Sequence, residues 1–417
     1  MADARPPIFD DGLRHDPLPA RHGEPRFVFL NRIAGSYWEH PRRLVQSWAD
    51  RITNPDEYAD LRGRLRSGDD YGFRSAFLEL YIHEALVVAG YTVTIHPHVA
   101  DTARQPDFFG VRRDGALYVE AIVPAPSAGA RAAANRRSVL FDTVNSVGDP
   151  NFMLSLDELE EGSAPPSGAA LRRELQRWLA SLDPDAYPDL ERAPRFRWER
   201  DGWSVLFRAI PKAPRARGAV RPDDRAIGIF GHTPVQIVND APMIRAALSD
   251  KHHAYGDLDA PFVIAVGVYI FDADRWHSTA ALYGAEALEF GESATGEPAT
   301  RSIRRPDGYF GTPPAWANTH VSGVLLVNQL QPYSVTRADA TLWRHPKPDH
   351  PLPVSLGLPV DEVAVVGTQL EATSLQQSTA RFFGLPAQWP PGDAWPRRAT
   401  PGPGPGPGPG PGPGAAG

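Results

Sequence analysis

The sequence predicts an α/β fold whose core follows the order helix, three strands, helix, strand. A strongly apolar helix is expected from Tyr71 to Ala89. Three short extended segments follow it, and an Asp-Gly hairpin turn at 114–115 joins the last two. A second helix, expected from Ala241 to Tyr255, leads into an apolar run at 261–271. That run has the length and composition of a strand buried on both faces.

Shorter elements are expected before this core, over residues 1–66. Residues 1–35 are rich in Pro and Arg with little periodicity, so we expect an irregular arm there. From about 40 to 66, apolar side chains recur at helical spacing and predict two short helices. Asp69 then provides a cap for the start of the apolar helix, and Gly90 ends it.

The core is predicted to comprise residues 67–125 and 241–345, interrupted by an insertion at 126–240. The three extended segments before the insertion are residues 92–97, 106–111 and 117–123. Loops rich in Pro, Ala and Gly, one helix around 171–182 and a hairpin closed by Asp201-Gly202 are expected within it.

Beyond the second helix, short strands are expected at TAALYG (279–284), GVLLVNQL (323–330) and ATLWRHP (340–346). Residues 346–385 form a C-terminal extension. Residues 386–417 are Pro- and Trp-rich and end in a strict Pro-Gly repeat, which has no three-residue period and therefore does not indicate a collagen helix. We expect this segment to be a disordered tail.

Composition excludes several classes of site. The chain has no cysteine, which removes disulfides, thiolate metal sites and cysteine nucleophiles, so any metal must bind to oxygen or imidazole. It has no apolar run of about 18 residues and no secretory signal pattern, so neither a membrane span nor export is predicted. The default expectation is a cytoplasmic protein without a membrane partner.

The net charge of −7 does not by itself indicate a nucleic-acid partner. One segment differs: residues 191–225 contain ten basic and five acidic side chains. Its candidate phosphate-binding residues are Arg195, Arg197, Arg200, Arg208 and Lys212. Four aromatic residues lie among them: Phe196, Trp198, Trp203 and Phe207. These aromatic side chains either stack on exposed bases or form a core.

Three carboxylates are expected on the predicted core. Asp107 and Glu120 lie on the two strands of the Asp-Gly hairpin, where antiparallel pairing brings them close together and onto one face. Two facing carboxylates repel unless a hard cation such as Mg²⁺ lies between them. Glu79 strengthens this interpretation, because an ionised carboxylate in an apolar helix must be paired, ligated or protonated. An ion pair with an arginine such as Arg74 or Arg104 is the alternative for Glu79.

Helical Glu, then Pro-Asp, then a hydrophobic strand reading Val-Glu-Ala resembles the PD-(D/E)XK restriction-endonuclease-like superfamily. The motif appears here as FLEL, QPDFFGV and LYVEAIV, and the resemblance covers about a third of the chain. It implies a restriction-endonuclease-like core that binds Mg²⁺ or Mn²⁺ through Glu79, Asp107 and Glu120. It also implies hydrolysis of phosphodiester bonds, with DNA as the expected substrate and with Asp107 and Glu120 as catalytic residues.

The chain departs from this family at the motif lysine, whose position is occupied by Ile122. Isoleucine can neither orient water nor stabilise charge at phosphorus. In one interpretation the cation has moved to Lys251, one of only three lysines, on the helix before the buried strand. Some relatives draw the lysine from that helix, so Lys251 is the candidate catalytic cation. In the other, the site is degenerate and the chain is a nucleic-acid-binding or scaffold module.

A third possibility is an interaction protein whose arginine-rich segment binds an acidic protein partner. A nuclease of this kind is also compatible with a protein partner that supplies its targeting. No sequence feature specifies DNA over RNA, a recognition sequence or an oligomeric state.

Overall fold

The computed structural model describes residues 5–100, 102–187, 189–220, 224–230, 239–251, 255–292, 298–367, 369–375 and 377–395. Within them the α-helices are α1 Arg26–Arg32, α2 Ser36–Ala49, α3 Pro55–Leu65, α4 Asp70–Val88, α5 Ala128–Asn145, α6 Gly168–Ala180, α7 Ala241–Lys251, α8 Trp276–Tyr283 and α9 Thr379–Phe382. Two short 3₁₀ turns, Pro214–Ala216 and Val335–Arg337, accompany them.

The strands fall into a large sheet, a smaller sheet in the insertion and two hairpins. Their bounds are β1 Thr92–Ile95, β2 Phe108–Arg112, β3 Gly115–Ile122, β4 Phe152–Glu160, β5 Arg195–Arg200, β6 Trp203–Pro211, β7 Ile227–Phe230, β8 Phe262–Val268, β9 Glu286–Glu292, β10 Pro298–Arg304, β11 Gly311–Thr312, β12 Ala315–Trp316, β13 Gly323–Asn328, β14 Asp339–Arg344, β15 Asp361–Val366 and β16 Gln369–Thr373.

The large sheet has eight strands in the order β1-β2-β3-β8-β13-β14-β15-β16. Its centre is parallel, because β8 pairs in parallel with both β3 and β13. Every residue of β8 is buried, since Val263 and Ala265 face one apolar core and Ile264 and Val266 face another. Helix α4 contributes to the first core and α7 to the second. This two-sided burial explains the uninterrupted apolar run in the sequence. The predicted order α4, β1 to β3, α7, β8 is confirmed.

Helix α4 begins where its cap predicts, because the Asp69 carboxylate accepts the backbone N–H of Gly72 at 3.1 Å. Its buried residues extend nearly around the helix and include Phe73, Phe77 and Leu86. Leu78 reaches the large sheet, since a side chain at Gly267 would lie 3.1 Å from it. The central strand β8 therefore has a glycine where the Leu78 side chain of α4 packs against it.

Residues 126–240 fold around an apolar core of their own. A four-stranded sheet, β5-β6-β4-β7, packs against α5 and α6 through a cluster that includes Leu140, Leu171 and Phe207. The Asp201-Gly202 hairpin is confirmed by pairing of Arg200 with Trp203. Helix α5 and strand β4 were not predicted. The Ala-rich composition of α5 favours helix, and its few buried apolar residues leave little periodicity to detect.

Three predictions of local structure are wrong. TAALYG is helical, because the Asp272 carboxylate accepts the N–H groups of His277 and Ser278 and starts α8. The N-terminal arm is not wholly irregular, since it contains α1 and buries Ile8 completely. The C-terminal tail is ordered over 386–395, where Trp389 is buried in the first core and donates to the carbonyl of Pro332. Residues 396–417, including the Pro-Gly repeat, lie outside the described residues.

The C-terminal extension also differs from expectation, because β15 and β16 complete the large sheet. Strand β15 pairs in parallel with β14, with Leu342 opposite Glu362. The sheet therefore continues beyond residue 345, the predicted end of the core. Among the helices described, none combines the length and apolar character that crossing a bilayer requires.

Glu84 on α4 has only 3% of its surface exposed and pairs with half-exposed Arg51 at 3.0 Å. Burial raises the pKa of Glu84 to about 7, and the Arg51 charge offsets only part of that shift. The folded pKa exceeds its ordinary value of 4.5, so the stability contributed by this group is complete below that value and is lost as pH rises through about 7. We therefore expect Glu84→Gln to stabilise the protein by about 2 kcal/mol more at pH 8 than at pH 5.

The measurement is urea unfolding of both proteins at the two pH values. Glu371→Gln on the exposed edge strand β16 is the matched control and should show no pH-dependent difference. An equal effect of Glu84→Gln at both pH values would contradict the buried-proton explanation.

Candidate active site

The β2–β3 hairpin positions two of the predicted carboxylates. Phe108 pairs with Val119, so Asp107, which directly precedes β2, reaches the level of Glu120 on β3. Glu120 lies opposite Ile264 of the buried strand β8. Helix α7 contributes Ile244 to the second core, and its last residue, Lys251, extends over the hairpin. Three separate elements thus meet at Glu120.

Glu120 is almost completely buried, with 2% of its surface exposed, and has two donors. Lys251 Nζ lies 2.6 Å from Oε1, and the Tyr255 hydroxyl donates to Oε2. The Lys251 side chain itself remains 38% exposed. Lys251 thus contacts Glu120, one of the two hairpin carboxylates near which it was predicted to lie. Tyr255, four residues further along the chain, was missed because no known motif marks it.

Lys251 and Tyr255 differ in charge at neutral pH. Burial acts to lower the pKa of Lys251, but the hydrogen bond and negative charge of Glu120 outweigh it, so the net shift is upward. Burial also raises the pKa of Tyr255, and the charge of Glu120 adds to that effect. Lys251 is therefore a permanent ammonium and Tyr255 a neutral hydroxyl. Together they supply Glu120 with one charged and one neutral donor.

The surroundings of Asp107 disfavour the ionised form of its carboxylate. Its Oδ2 accepts the backbone N–H of Ala121 at 2.7 Å. Burial raises the pKa of the Asp107 carboxyl well above its usual range, and the charges of Glu120 and Glu79 raise it further. The Ala121 N–H and the Lys251 ammonium oppose that shift without cancelling it. Asp107 therefore either holds a proton or requires a further positive charge nearby.

Glu79 lies within reach of the same site but is already paired. Arg64 on α3 binds both of its oxygens, at 2.5 and 2.6 Å, because α3 packs beside α4. The ion-pair alternative raised from the sequence is therefore observed, with Arg64 in place of Arg74 or Arg104 as the partner. Glu79 can join a cation only by sharing its oxygens with this guanidinium.

An open pocket adjoins Asp107 on the α4 side of the sheet. Its polar lining consists of Glu57, Arg64, Glu79, His83, His96 and Asp107. Glu57 and His96 were not predicted as site residues. Sequence patterning had assigned His96 a surface role, since a histidine beside a proline at a strand end carries no specific signal. His96 lines the pocket because Glu57 of α3 lies beside it, a contact that local sequence does not show.

Ile122, which the resemblance places at the position of the motif lysine, pairs with Val266. Its side chain packs against the second apolar core, so no cation enters the site from this position. The ammonium at Glu120 comes instead from α7.

Asp107 and Glu120 supply carboxylate oxygens, the donors that hard divalent cations prefer. Each carboxylate oxygen can accept two contacts, so Glu120 keeps one free position on each oxygen. No hydrogen bond to Asp107 Oδ1 occurs among the described residues. In those same ranges no three His, Asp or Glu side chains form a complete ligand set. A cation at Asp107 and Glu120 would therefore take its remaining ligands from water or phosphate, as Mg²⁺ commonly does.

The basic hairpin of the insertion does not present the surface expected from the sequence. Trp198, Trp203 and Phe207 are buried in the core of the insertion, so of the two alternatives raised for these aromatic residues the core is the one observed, and Phe196 stacks on Trp178. The five basic candidates each have an acidic neighbour: Arg195 and Arg208 face Asp157, Arg197 faces Glu158, Arg200 faces Glu174 and Lys212 faces Asp224. Their positive charge is therefore partly neutralised in place.

Comparison of the chain with models of known protein families, with curated proteins and with solved structures found no significant match. The PD-(D/E)XK resemblance accordingly stays a prediction that depends on the motif residues, their order along the chain and the mixed α/β architecture that contains them.

Proposed function

We propose that this chain is a divalent-metal-dependent hydrolase of phosphodiester bonds, a nuclease-like enzyme with DNA as its substrate. The observation that carries the proposal is the 2.6 Å contact between Lys251 and Glu120, beside Asp107. A lysine from a different element thereby supplies the ammonium that the motif lacks at Ile122. The same contact is the one that the moved-lysine interpretation requires.

In this proposal Asp107 and Glu120 hold Mg²⁺ or Mn²⁺. The cation, when bound, supplies Lewis-acid activation of water and neutralises charge on the leaving oxygen. Lys251 keeps its proton and so binds a phosphate oxygen or orients the attacking water, without acting as a proton donor. Tyr255 fixes Glu120 through its hydroxyl. Arg64 holds Glu79 and limits its freedom to rotate.

The experiment is incubation of the intact chain with supercoiled plasmid and with single-stranded DNA, in Mg²⁺, in Mn²⁺ and in EDTA. Nicked or linear products that form with a cation and not with EDTA support the proposal. Absence of cleavage under every condition, combined with cation-independent DNA binding, would contradict it.

A catalytically degenerate nucleic-acid-binding or scaffold module is the second candidate. It is favoured by the donors that already occupy the carboxylates: Arg64 on both oxygens of Glu79, and Lys251 and Tyr255 on those of Glu120. These contacts compensate the acidic charge without a metal. This candidate predicts DNA binding that is unchanged by EDTA.

Arg195 and Arg200 are the hairpin arginines with the longest ion pairs, 3.9 and 3.6 Å, and both are about half exposed. We propose that they contact DNA phosphates. Because each phosphate contact contributes about 0.9 to the slope of log affinity against log salt, the double variant Arg195→Gln/Arg200→Gln should reduce that slope by about 2.

The measurement is fluorescence anisotropy of labelled DNA over a salt series. Arg301→Gln is the control, since Arg301 on the β9–β10 hairpin is also exposed and paired, with Glu289 at 2.6 Å. An unchanged slope in the double variant would exclude these two arginines from the interface.

A further inference from the structure

His96 occupies a constrained position at the end of β1. Its backbone has a φ of 45°, in the left-handed region that non-glycine residues seldom adopt. Its N–H donates to the carbonyl of Asp107 at 3.0 Å, which ties the residue to the start of β2. The ring consequently lies between Glu57 of α3 and the Asp107 carboxylate. Residues that are held in a rarely populated backbone conformation, and whose side chain is oriented by a neighbour, are often found at functional sites.

The two ring nitrogens have different environments. Nδ1 lies 2.9 Å from Oε2 of Glu57, and because an ionised carboxylate only accepts, Nδ1 carries the hydrogen in that contact. In the neutral ring, Nε2 then presents a lone pair toward Asp107 Oδ1 at 3.8 Å, too far for a hydrogen bond. Two acceptor atoms thus face each other beside the open pocket, with a separation that leaves space for an ion.

We infer that His96 is an imidazole ligand of the cation bound by Asp107, and that Glu57 orients it from behind. Metal bonds to imidazole nitrogen and carboxylate oxygen are each roughly 2.0 to 2.2 Å long, so together they span at most about 4.4 Å. The observed 3.8 Å falls within that span. A carboxylate that holds the other nitrogen of a ligand histidine is a recurrent arrangement in metal proteins.

This ligand changes the class of metal expected. Oxygen-only sites suit Mg²⁺ and Ca²⁺, whereas imidazole favours first-row transition ions, with affinity increasing from Mn²⁺ to Co²⁺ and Ni²⁺. The site therefore takes a transition ion in preference to Mg²⁺. The inference rests on the proposed function, because it assigns a further ligand to the cation at Asp107. His96, Asp107 and Glu120 are not arranged as a three-residue ligand set in the described residues, so water would have to complete the coordination shell. The competing explanation is a metal-free ion pair in which a protonated His96 bridges Glu57 and Asp107.

The test compares the intact chain with His96→Asn and with the control His98→Asn, two residues further along on an exposed position. Asparagine tolerates the left-handed backbone, so His96→Asn should fold. We expect Co²⁺ to produce half of its maximal thermal stabilisation at a concentration at least ~10-fold lower than Mg²⁺ does in the intact chain and in His98→Asn. His96→Asn should remove most of that preference, and Glu57→Gln should weaken Co²⁺ binding about 10- to 100-fold.

Pulsed EPR of bound Mn²⁺ provides a direct readout, since a coordinated imidazole couples its nitrogen spin to the metal. The coupling should be present in the intact chain and in His98→Asn and absent in His96→Asn. A coupling that persists in His96→Asn, or an unchanged Co²⁺ preference, would overturn the inference. If Asp107→Asn abolishes binding of both ions but His96→Asn affects neither, only the role of His96 fails. If no divalent ion binds the intact chain at all, the metal-dependent function fails with it.

Discussion

Replacement of Asp107 by asparagine is expected to reduce cation-dependent DNA cleavage by about 10³-fold or more, while stabilising the cation-free protein at neutral pH. The first effect follows because removal of a metal-binding carboxylate costs several kcal/mol of transition-state stabilisation. The second follows from the environment of Asp107, in which burial and the charges of Glu120 and Glu79 disfavour its ionised form. Asparagine removes that charge, and its side-chain oxygen can still accept the N–H of Ala121.

The pH dependence of stability provides a second signature. The folded pKa of Asp107 is raised above its ordinary value of 3.8, so its contribution to stability is complete below that value and is lost as pH rises through the folded pKa. In EDTA, thermal unfolding of Asp107→Asn should therefore occur at a higher temperature than that of the intact chain at pH 7 to 8, and the difference should diminish toward acidic pH. Added Mn²⁺ should stabilise the intact chain and leave the variant unchanged.

Asp114→Asn is the matched control, since Asp114 lies at the turn of the same hairpin and is exposed. It should retain both cleavage and stabilisation by Mn²⁺. Full activity of Asp107→Asn would remove Asp107 from the catalytic set and leave it as a hairpin contact.

The sequence allowed the core of the fold to be predicted where one physical rule dominated. The long apolar helix α4, the Asp114-Gly115 turn and the buried strand β8 each follow from burial or turn chemistry that a single segment displays. The insertion was harder because helix α5 buries few apolar residues and therefore shows little periodicity. TAALYG shows the limit of local patterning, since a short apolar run fits either a strand or a helix, and the Asp272 cap decided the outcome.

The candidate site was predictable to the extent that its residues lie in one motif. Asp107 and Glu120 follow from hairpin register. Lys251 was proposed because Ile122 leaves the motif without its lysine, and Lys251 is one of only three lysines and lies on the helix before the buried strand. Arg64, Glu57 and Tyr255 could not be predicted because their roles depend on how α3 and the segment after α7 pack against the sheet. Contacts between elements distant in sequence leave no periodic trace in either one.

The basic hairpin illustrates a different failure. Counting charges along residues 191–225 finds a basic surplus, but the sheet brings Asp157 and Glu158 of β4 beside Arg208 and Arg197 of the hairpin. The Arg197–Glu158 pair is exposed, and such pairs contribute about 0 to 1 kcal/mol to stability, so a phosphate can compete for Arg197. The acidic residues on the neighbouring strand therefore weaken the predicted positive surface of the hairpin but do not remove it.

Replacement of Lys251 by methionine is the second decisive change, with an expected loss of cleavage of about 10² to 10³-fold, the usual effect of removing one preorganised charge at a reacting phosphate. Lys251 is the ammonium closest to the carboxylate pair, at 2.6 Å from Glu120, and its upward-shifted pKa keeps it charged across the neutral range. Methionine keeps most of the apolar length of the side chain and removes the ammonium, with both its charge and its hydrogen bond to Glu120. Lys251→Arg should retain the ion pair but recover activity only in part, because a planar guanidinium cannot place its charge at the same point.

Stability must be separated from catalysis in this variant, since loss of Lys251 leaves the buried Glu120 with the Tyr255 hydroxyl as its only side-chain donor among the described residues. Breaking a fully buried pair costs about 3 to 5 kcal/mol, and the 38% exposure of Lys251 reduces the expected cost to about 1 to 3 kcal/mol.

Lys251→Met/Glu120→Gln should regain most of this stability, because the unpaired charge is gone, yet remain inactive. Lys347→Met, at an exposed lysine, should change neither property. If Lys251→Met cleaves DNA at the rate of the intact chain, Lys251 serves only as the counter-ion of a buried carboxylate, and the water or phosphate must be held by another group.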